Sequence, residues 1–231
     1  MKIELLNHTP LWVCAKAIRK CWSSEDKSDS NLCKDCWEYL DVTDEDVKCS
    51  NCGQYGLLET GPKDKALIER IGNKNKHAST LEHLVYSFDI DGISRACLQE
   101  LARHRIASLS VKSSRYTLKE LKNAQLGQVD FRKFVVMTND NSVNDGIMAQ
   151  LGRLKDALDA GISNDVAKFL MPEAYKTSLV WTINARALQN FLVLRSSKSA
   201  LWEIRDLAQA IYNQLPEEHK YLFEYIYEEK Q

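Results

Sequence analysis

Positions 103–116 read RHRIASLSVKSSRY: four Lys or Arg cations, one histidine and four serines in fourteen residues, interleaved with apolar ones. Arginine forks bind phosphate oxygens bidentately, and serine hydroxyls with backbone N–H groups can fill the acceptors that remain. The stretch therefore reads as a site for a phosphorylated ligand. The solvated end of a helix is the other reading, because the macrodipole favours cations there without any ligand. No GxxxxGK[ST] or GxGxxG is present, which excludes a Walker or Rossmann phosphate loop.

A second constellation is made of cysteines. Cys33 and Cys36 form one CxxC and Cys49 and Cys52 another, with twelve residues between. Each short loop can place two thiolates on one ion, and two such loops complete a tetrahedral four-cysteine zinc site. Gly53 and Gly56 suit the tight turns of a zinc ribbon. Four ordinary thiols, or a redox pair, are the alternatives. The pairs do not open a helix after a strand, as a thioredoxin-like motif would. A site filled by four sulfurs is structural rather than catalytic, and the acidic linker WEYLDVTDEDVK is a poor grip for nucleic acid. Cys14, Cys21 and Cys97 lie on apolar helical stretches and read as core.

The whole chain constrains both sites. Its 231 residues carry 31 Lys and Arg against 32 Asp and Glu, so any anion site must be local rather than the face of a non-specific nucleic-acid binder. Hydrophobic content of 44% suits a globular core. There is no long apolar run, and MKIELLNHTP has no signal-peptide core, so the expectation is a soluble cytoplasmic protein without a membrane span. In a reducing compartment the seven cysteines suggest metal ligands or buried thiols rather than disulfides.

The elements that must position these residues follow from periodicity. PLWVCAKAIRKCW has helical spacing, and LIERIGNKNKHASTLEH reads as a helix ending near Gly72, then a loop. HLVYSFDID alternates as a half-buried strand, and GISRACLQELARHR has helical spacing at Ile93, Cys97, Leu98 and Leu101. The 103–116 stretch is thus expected as a helix end and the loop after it. Residues 123–142 give no clear pattern. A helix is expected from about Val143 to Ala160, a second one capped by Ser163 or Asn164 and stopped at Pro172, and a strand over YKTSLVWTIN. The last third reads as helices. The fold class is α+β: a small, mostly antiparallel sheet flanked by helices, a helix-rich C-terminal third, and a four-cysteine insertion at 31–58 within a single catalytic domain spanning 1–231.

Three blocks together resemble the flavin-dependent thymidylate synthases. Arg103-His104-Arg105, followed seven residues later by Ser113, is that family's RHR signature. Upstream, HASTLEHLVYSF is similar to its His–x–(Ser/Thr)–x–x–Glu–His segment, and downstream WTINARALQNFLVLR is similar to its Asn–x–Arg–x3–Asn–x4–Arg helix. Order and approximate spacing agree along the chain, with only the cysteine segment outside.

The resemblance implies reductive methylation of dUMP to dTMP, with methylenetetrahydrofolate as carbon donor, NADPH as reductant and FAD as the hydride carrier. It implies a dUMP site lined by Glu100, Leu101, Ala102, Arg103, Val111, Lys112, Ser113, Ser114 and Arg115, with Lys168 standing where the family usually has an Arg. Arg195 matches the arginine set against the uracil ring, where a fixed guanidinium would stabilise charge developing on the pyrimidine; it is the catalytic candidate. FAD contacts are implied for Ser79, Arg103, His104, Arg105, Val111, Asn184, Ala185, Arg186 and Asn190, with His77 and Glu82 as neighbours. The plainer reading of His77 and His83 is a strand cap or core packing, and that of Asn184, Arg186 and Asn190 an N-cap with solvated helix residues. The chain departs from the family at IASLSVK, where Val111 can offer only its backbone, and at Ser199, where some members place a flavin-contacting His. The family also implies a homotetramer with FAD sites between subunits. The alternative from another class is a zinc-ribbon nucleic-acid-binding protein, which the balanced charge disfavours.

Overall fold

The computed structural model describes residues 1–30, 47–48, 55–56, 60–75, 77–114, 118–124 and 130–228. Cys33, Cys36, Cys49, Cys52 and Arg115 lie outside the described residues. In chain order, the elements are β1 (Lys2–His8), α1 (Leu11–Cys21), β2 (Val47–Lys48), β3 (Tyr55–Gly56) and α2 (Pro62–Ile68). Then come β4 (Val85–Ser94), α3 (Arg95–Leu101), β5 (Ala107–Val111), α4 (Lys119–Lys122), α5 (Asn141–Asp159) and α6 (Asn164–Ala167). The chain continues with β6 (Lys176–Asn184), α7 (Ala185–Arg195), α8 (Trp202–Gln214) and α9 (Tyr225–Glu228). The result is an α+β fold: a small antiparallel sheet in the order β1-β4-β6-β5 with many helices, and a separate antiparallel pair, β2 with β3.

The two central strands are those with the strongest alternation. In β4, Tyr86, Phe88 and Ile90 are buried, and in β6 so are Thr177, Leu179, Trp181 and Ile183. The edges, β1 and β5, differ from expectation. Neither carries a clean buried face, since β1 alternates only between exposed and half-buried positions and β5 is mostly exposed. The residues after Arg105 are therefore not a simple loop: they enter β5.

The chain divides into two compact units. One comprises Met1–Glu4, Phe88–Thr182 and Leu194–Gln214. Its core gathers Leu118, Leu121, Val135, Leu151, Leu154 and Leu158 with Ala167 and Tyr175, and Phe88 and Trp181 lie with ring centroids 6.3 Å apart. Within the segment that gave no sequence pattern, Val135 bridges to Tyr175, with the Val136 N–H on Ala174 O and the Lys176 N–H on Phe134 O, both at 2.8 Å. Helix α5 starts two residues earlier than its apolar spacing suggested, because the Asp140 side chain caps it at the Val143 N–H. It ends in a Schellman motif, with Ile162 N–H bonded to Ala157 O, Gly161 N–H bonded to Leu158 O, and Gly161 at φ +80°. Ser94 caps α3 and is itself held by the buried Glu203, which accepts from the Ser94 N–H at 2.7 Å and also from its hydroxyl.

The other unit comprises Leu5–Ser87, Ile183–Val193 and Leu215–Gln231. The helix expected to reach Gly72 stays α-helical only to Ile68 and continues as a π-type turn over Glu69–Lys74. The loop expected after it is a 3-10 helix over Ala78–His83. Cys14 is buried, as is Cys97 in the first unit, but Cys21 is exposed at the end of α1 and is no core residue.

A buried ion pair anchors α2. Asp64 has no solvent exposure and accepts from Arg19 Nε at 2.5 Å, from Ser28 Oγ at 2.6 Å and from the Ser30 hydroxyl. Asp29 in turn accepts from the Lys63 and Asp64 N–H groups at 2.8 and 3.1 Å, and Gly61 N–H donates to Ser30 Oγ at 3.3 Å. Gly61 is required here, since a Cβ would collide with Asp29. Residues 28–30 and 60–64 are thus bound to each other as a stem.

Candidate functional site

In the first unit, the RHR motif sits just past the end of α3. Glu100 is on that helix, and Arg195, the last residue of α7, joins it. The Arg195 guanidinium donates from Nε to His104 Nε2 at 3.0 Å, from one terminal nitrogen to a Glu100 carboxylate oxygen at 2.6 Å, and from the other to the Glu100 carbonyl at 3.1 Å. Arg103 lies 3.5 Å from the same Glu100 carboxylate. Of the five N–H groups of an arginine, these contacts engage three, so the fork is held while donors remain for a ligand. The sequence assigns Glu100, Arg103 and Arg195 to the nucleotide and Arg103 and His104 to the flavin; it does not tell that Glu100 and His104 are what fix Arg195. The only local signal was the three-residue spacing of Glu100 and Arg103.

His104 is buried, and burial together with Arg195 and Arg103 lowers its pKa from the ordinary 6.5 to about 4. The neutral ring can then accept the Arg195 N–H. Between about pH 6.5 and 4 the unfolded chain binds a proton at this histidine that the folded chain does not. Stability should therefore fall as the pH drops through that window and level off below it. Replacing His104 by Gln, which retains an acceptor, should make the loss shallower; urea midpoints measured across the window test this. Some slope should remain from His219, which burial also lowers, to about 3.

The second half of the motif follows β5. Val111, Lys112 and Ser113 are exposed and Ser114 is half-buried. The Lys112 N–H donates to Ser178 O at 2.8 Å, fixing the strand end, while its ammonium pairs with Glu120 at 3.2 Å. Lys112 also lines a cavity of about 400 Å³ with Asp91, Lys133, Tyr175, Lys176 and Ser178. Leu101 is buried and Ala102 exposed, so of these two only Ala102 presents its side chain to solvent. Lys168 is exposed at the start of a 3-10 turn over Lys168–Leu170.

In the second unit, the two other blocks come together. Arg186, on the first turn of α7, donates to Glu82 of the 3-10 helix at 2.7 Å. Asn190 is one helical turn beyond Arg186 and exposed with it, so both occupy one face. His77 and Ser79 are exposed on the same 3-10 segment, whose turn is closed by Thr80 Oγ1 donating to the His77 carbonyl at 2.9 Å. His83 is exposed rather than packed in the core. Asn184 caps α7, its side-chain oxygen accepting from the Ala187 N–H at 2.9 Å, and Ala185 is buried with its N–H on Leu84 O at 2.7 Å. The capping reading of Asn184 thus holds locally; its side-chain nitrogen is not needed for the cap.

A hydrogen-bonded guanidinium beside a neutral imidazole can stabilise negative charge on a bound ring, and exposed Arg, His and Asn donors can hold a phosphorylated cofactor. The chain matches a family model described as thymidylate synthase complementing protein over residues 4–219. It is 55% identical over 227 residues to a flavin-dependent thymidylate synthase of Wolinella succinogenes, covering 96% of this chain and 97% of that protein. It is 51% identical over 229 residues to one of Campylobacter jejuni, covering 97% of each. A crystal structure of thymidylate synthase X from Helicobacter pylori with FAD and dUMP is similar at a TM-score of 0.81 and 45% identity, covering 98% of this chain and 99% of that one.

Proposed function

The chain belongs to the flavin-dependent thymidylate synthase family, and from that premise we propose that it methylates dUMP to dTMP with FAD as cofactor, methylenetetrahydrofolate as carbon donor and NADPH as reductant. The observation that carries the reading is the convergence of two distant sequence blocks in one cluster, with Arg195 held by His104 and Glu100. Arg195 faces the pyrimidine and stabilises charge developing on it, which activates the ring carbon without a cysteine nucleophile. Arg103, Lys112, Ser113, Ser114 and Arg115 bind the dUMP phosphate and sugar, with Lys168 adding charge. The flavin, when bound, supplies the hydride chemistry. The residues present fit it: Arg186 keeps donors beyond its Glu82 contact, and His77, Ser79 and Asn190 are exposed near it in sequence blocks that meet.

The FAD sites lie between subunits of a homotetramer. Large apolar side chains left exposed at Ile106, Val166 and Phe169, the last 83% accessible, support such an interface. No helix among the described residues is long and apolar enough to cross a membrane, and synthesis of a nucleotide from soluble substrates suits the cytoplasm. Cys33, Cys36, Cys49 and Cys52 hold a structural zinc. Its support is the antiparallel β2–β3 pair, which brackets the second CxxC with Val47 opposite Gly56. Replacing Cys33 and Cys36 together by Ser abolishes bound zinc, read by metal analysis of the purified protein; unchanged zinc would end the four-thiolate assignment.

The test of the reaction is the visible spectrum of the purified protein before and after dUMP. A flavin spectrum perturbed by dUMP places both ligands in one site. A colourless protein that takes up no FAD and instead binds oligonucleotides with steep salt dependence would replace this reading with a nucleic-acid-binding one.

A further inference from the structure

We propose that His8, Glu218 and His219 form a binding site for a divalent transition cation of the zinc class, separate from the four cysteines. His8 ends β1, and the other two lie on a 3-10 helix over Glu217–Leu222. One ligand atom from each falls within 4.8 Å of the others. His219 carries the argument. It has no solvent exposure, its Nδ1 is 2.8 Å from the Tyr86 hydroxyl, and its Nε2 has no hydrogen-bond partner among the described residues. A buried polar atom left unpaired is destabilising, so the fold holds this nitrogen towards something.

The surroundings identify the partner. The nearest Glu218 oxygen is 3.8 Å from Nε2, too far for a hydrogen bond. Two ligands on one tetrahedral zinc, each about 2.0–2.2 Å from it, stand roughly 3.3–3.5 Å apart; closing that gap needs only a small movement. The His8 ring meets His219 edge-on, with centroids 5.1 Å apart and planes at 90°. His8 is half-buried and Glu218 exposed, so both can adjust while His219 stays fixed. A water could satisfy Nε2 alone, but it would not call for a second imidazole and a carboxylate at the same point. Burial keeps the His219 imidazole neutral, which is the form that ligates. The Tyr86 oxygen, accepting from Nδ1–H, would fix the tautomer that leaves the Nε2 lone pair free, the usual outer support of a metal-bound histidine. Lys65, 3.5 Å from the other Glu218 oxygen, engages that oxygen and leaves its partner oxygen for the ion. Two imidazoles and a carboxylate with an open position suit zinc or cobalt(II) better than calcium or magnesium.

The test uses the full chain with its flavin, stripped by chelator and titrated with Co²⁺ alone, because cobalt spectra separate thiolate from nitrogen and oxygen ligation. The expected result is one bound equivalent beyond that taken up by the cysteines, adding no thiolate charge-transfer band. It should survive replacement of Cys33 and Cys36 by Ser and be lost in His8→Gln and in Glu218→Gln. In the protein with Cys33 and Cys36 replaced by Ser, Co²⁺ should also raise the melting temperature, and adding His8→Gln should remove that rise. His8 is half-buried, and an unchanged circular dichroism spectrum in that variant separates loss of the site from loss of the fold. Equal cobalt uptake by His8→Gln and the unsubstituted protein, or cobalt bound only through the cysteines, overturns the proposal.

Discussion

Arg195→Ala folds, keeps its flavin and loses roughly 10²–10³-fold in kcat for dTMP formation, the range expected when one preorganised donor to a developing anion is removed. The Arg195 side chain is 13% exposed and its partner Glu100 32%. That exposure and the nearby Arg103 leave Glu100 solvated and still paired after the substitution, which is why the fold survives. Arg195 also closes α7 from its last turn, where the loss of a partly buried cation costs up to about 2 kcal/mol, too little to unfold the chain. The effect should fall on kcat rather than on dUMP affinity, because the phosphate contacts lie elsewhere. Arg195→Lys keeps the charge without the planar fork and should recover part of the rate. Single-turnover kinetics on flavin-loaded protein separate these cases. Undiminished turnover in Arg195→Ala would remove the residue from the mechanism.

The second large effect concerns stability. Asp64→Ala deletes the carboxylate that Arg19 and two serine hydroxyls share, leaving a guanidinium 8% exposed without its counter-charge. Breaking a buried pair from one side costs about 3–5 kcal/mol, and here unpaired hydroxyls add to it. Asp64→Asn keeps the shape and one acceptor and should cost less. Urea unfolding at matched protein and flavin concentrations measures both, since ligand and assembly shift apparent stability by mass action. A change below about 1 kcal/mol for Asp64→Ala would show that the pair contributes little against its desolvation.

What could be read from the sequence follows from which residues are buried by nearby neighbours. The central strands announce themselves because Tyr86, Phe88 and Ile90, and Leu179, Trp181 and Ile183, alternate into a core. The edge strands do not: KIELLNH and ASLSV pair along only one side and bury little, so their pattern matches a loop as well as a strand. The start of α5 was misplaced because a cap is a side-chain event at Asp140, outside the apolar repeat. At the site, the motifs located Arg103, His104, Glu100 and Arg195, but nothing in a linear pattern tells that an arginine at 195 leans on a histidine at 104. That is a tertiary fact, and so is the pairing of Arg186 with Glu82. His8 and His219 carry no spacing signal at all, being 211 positions apart (219 − 8) and linked only by the fold.

The stem of residues 28–30 and 60–64 has a consequence for how this protein can vary. The chain departs and returns through one tied gate, so the ends of whatever lies between are already brought together by bonds that belong to the rest of the fold. With the gate closed, the closure entropy of the intervening segment depends on its length only logarithmically, about 0.6 kcal/mol per doubling. A longer or a shorter segment could therefore leave and return through the same gate with its ties unchanged.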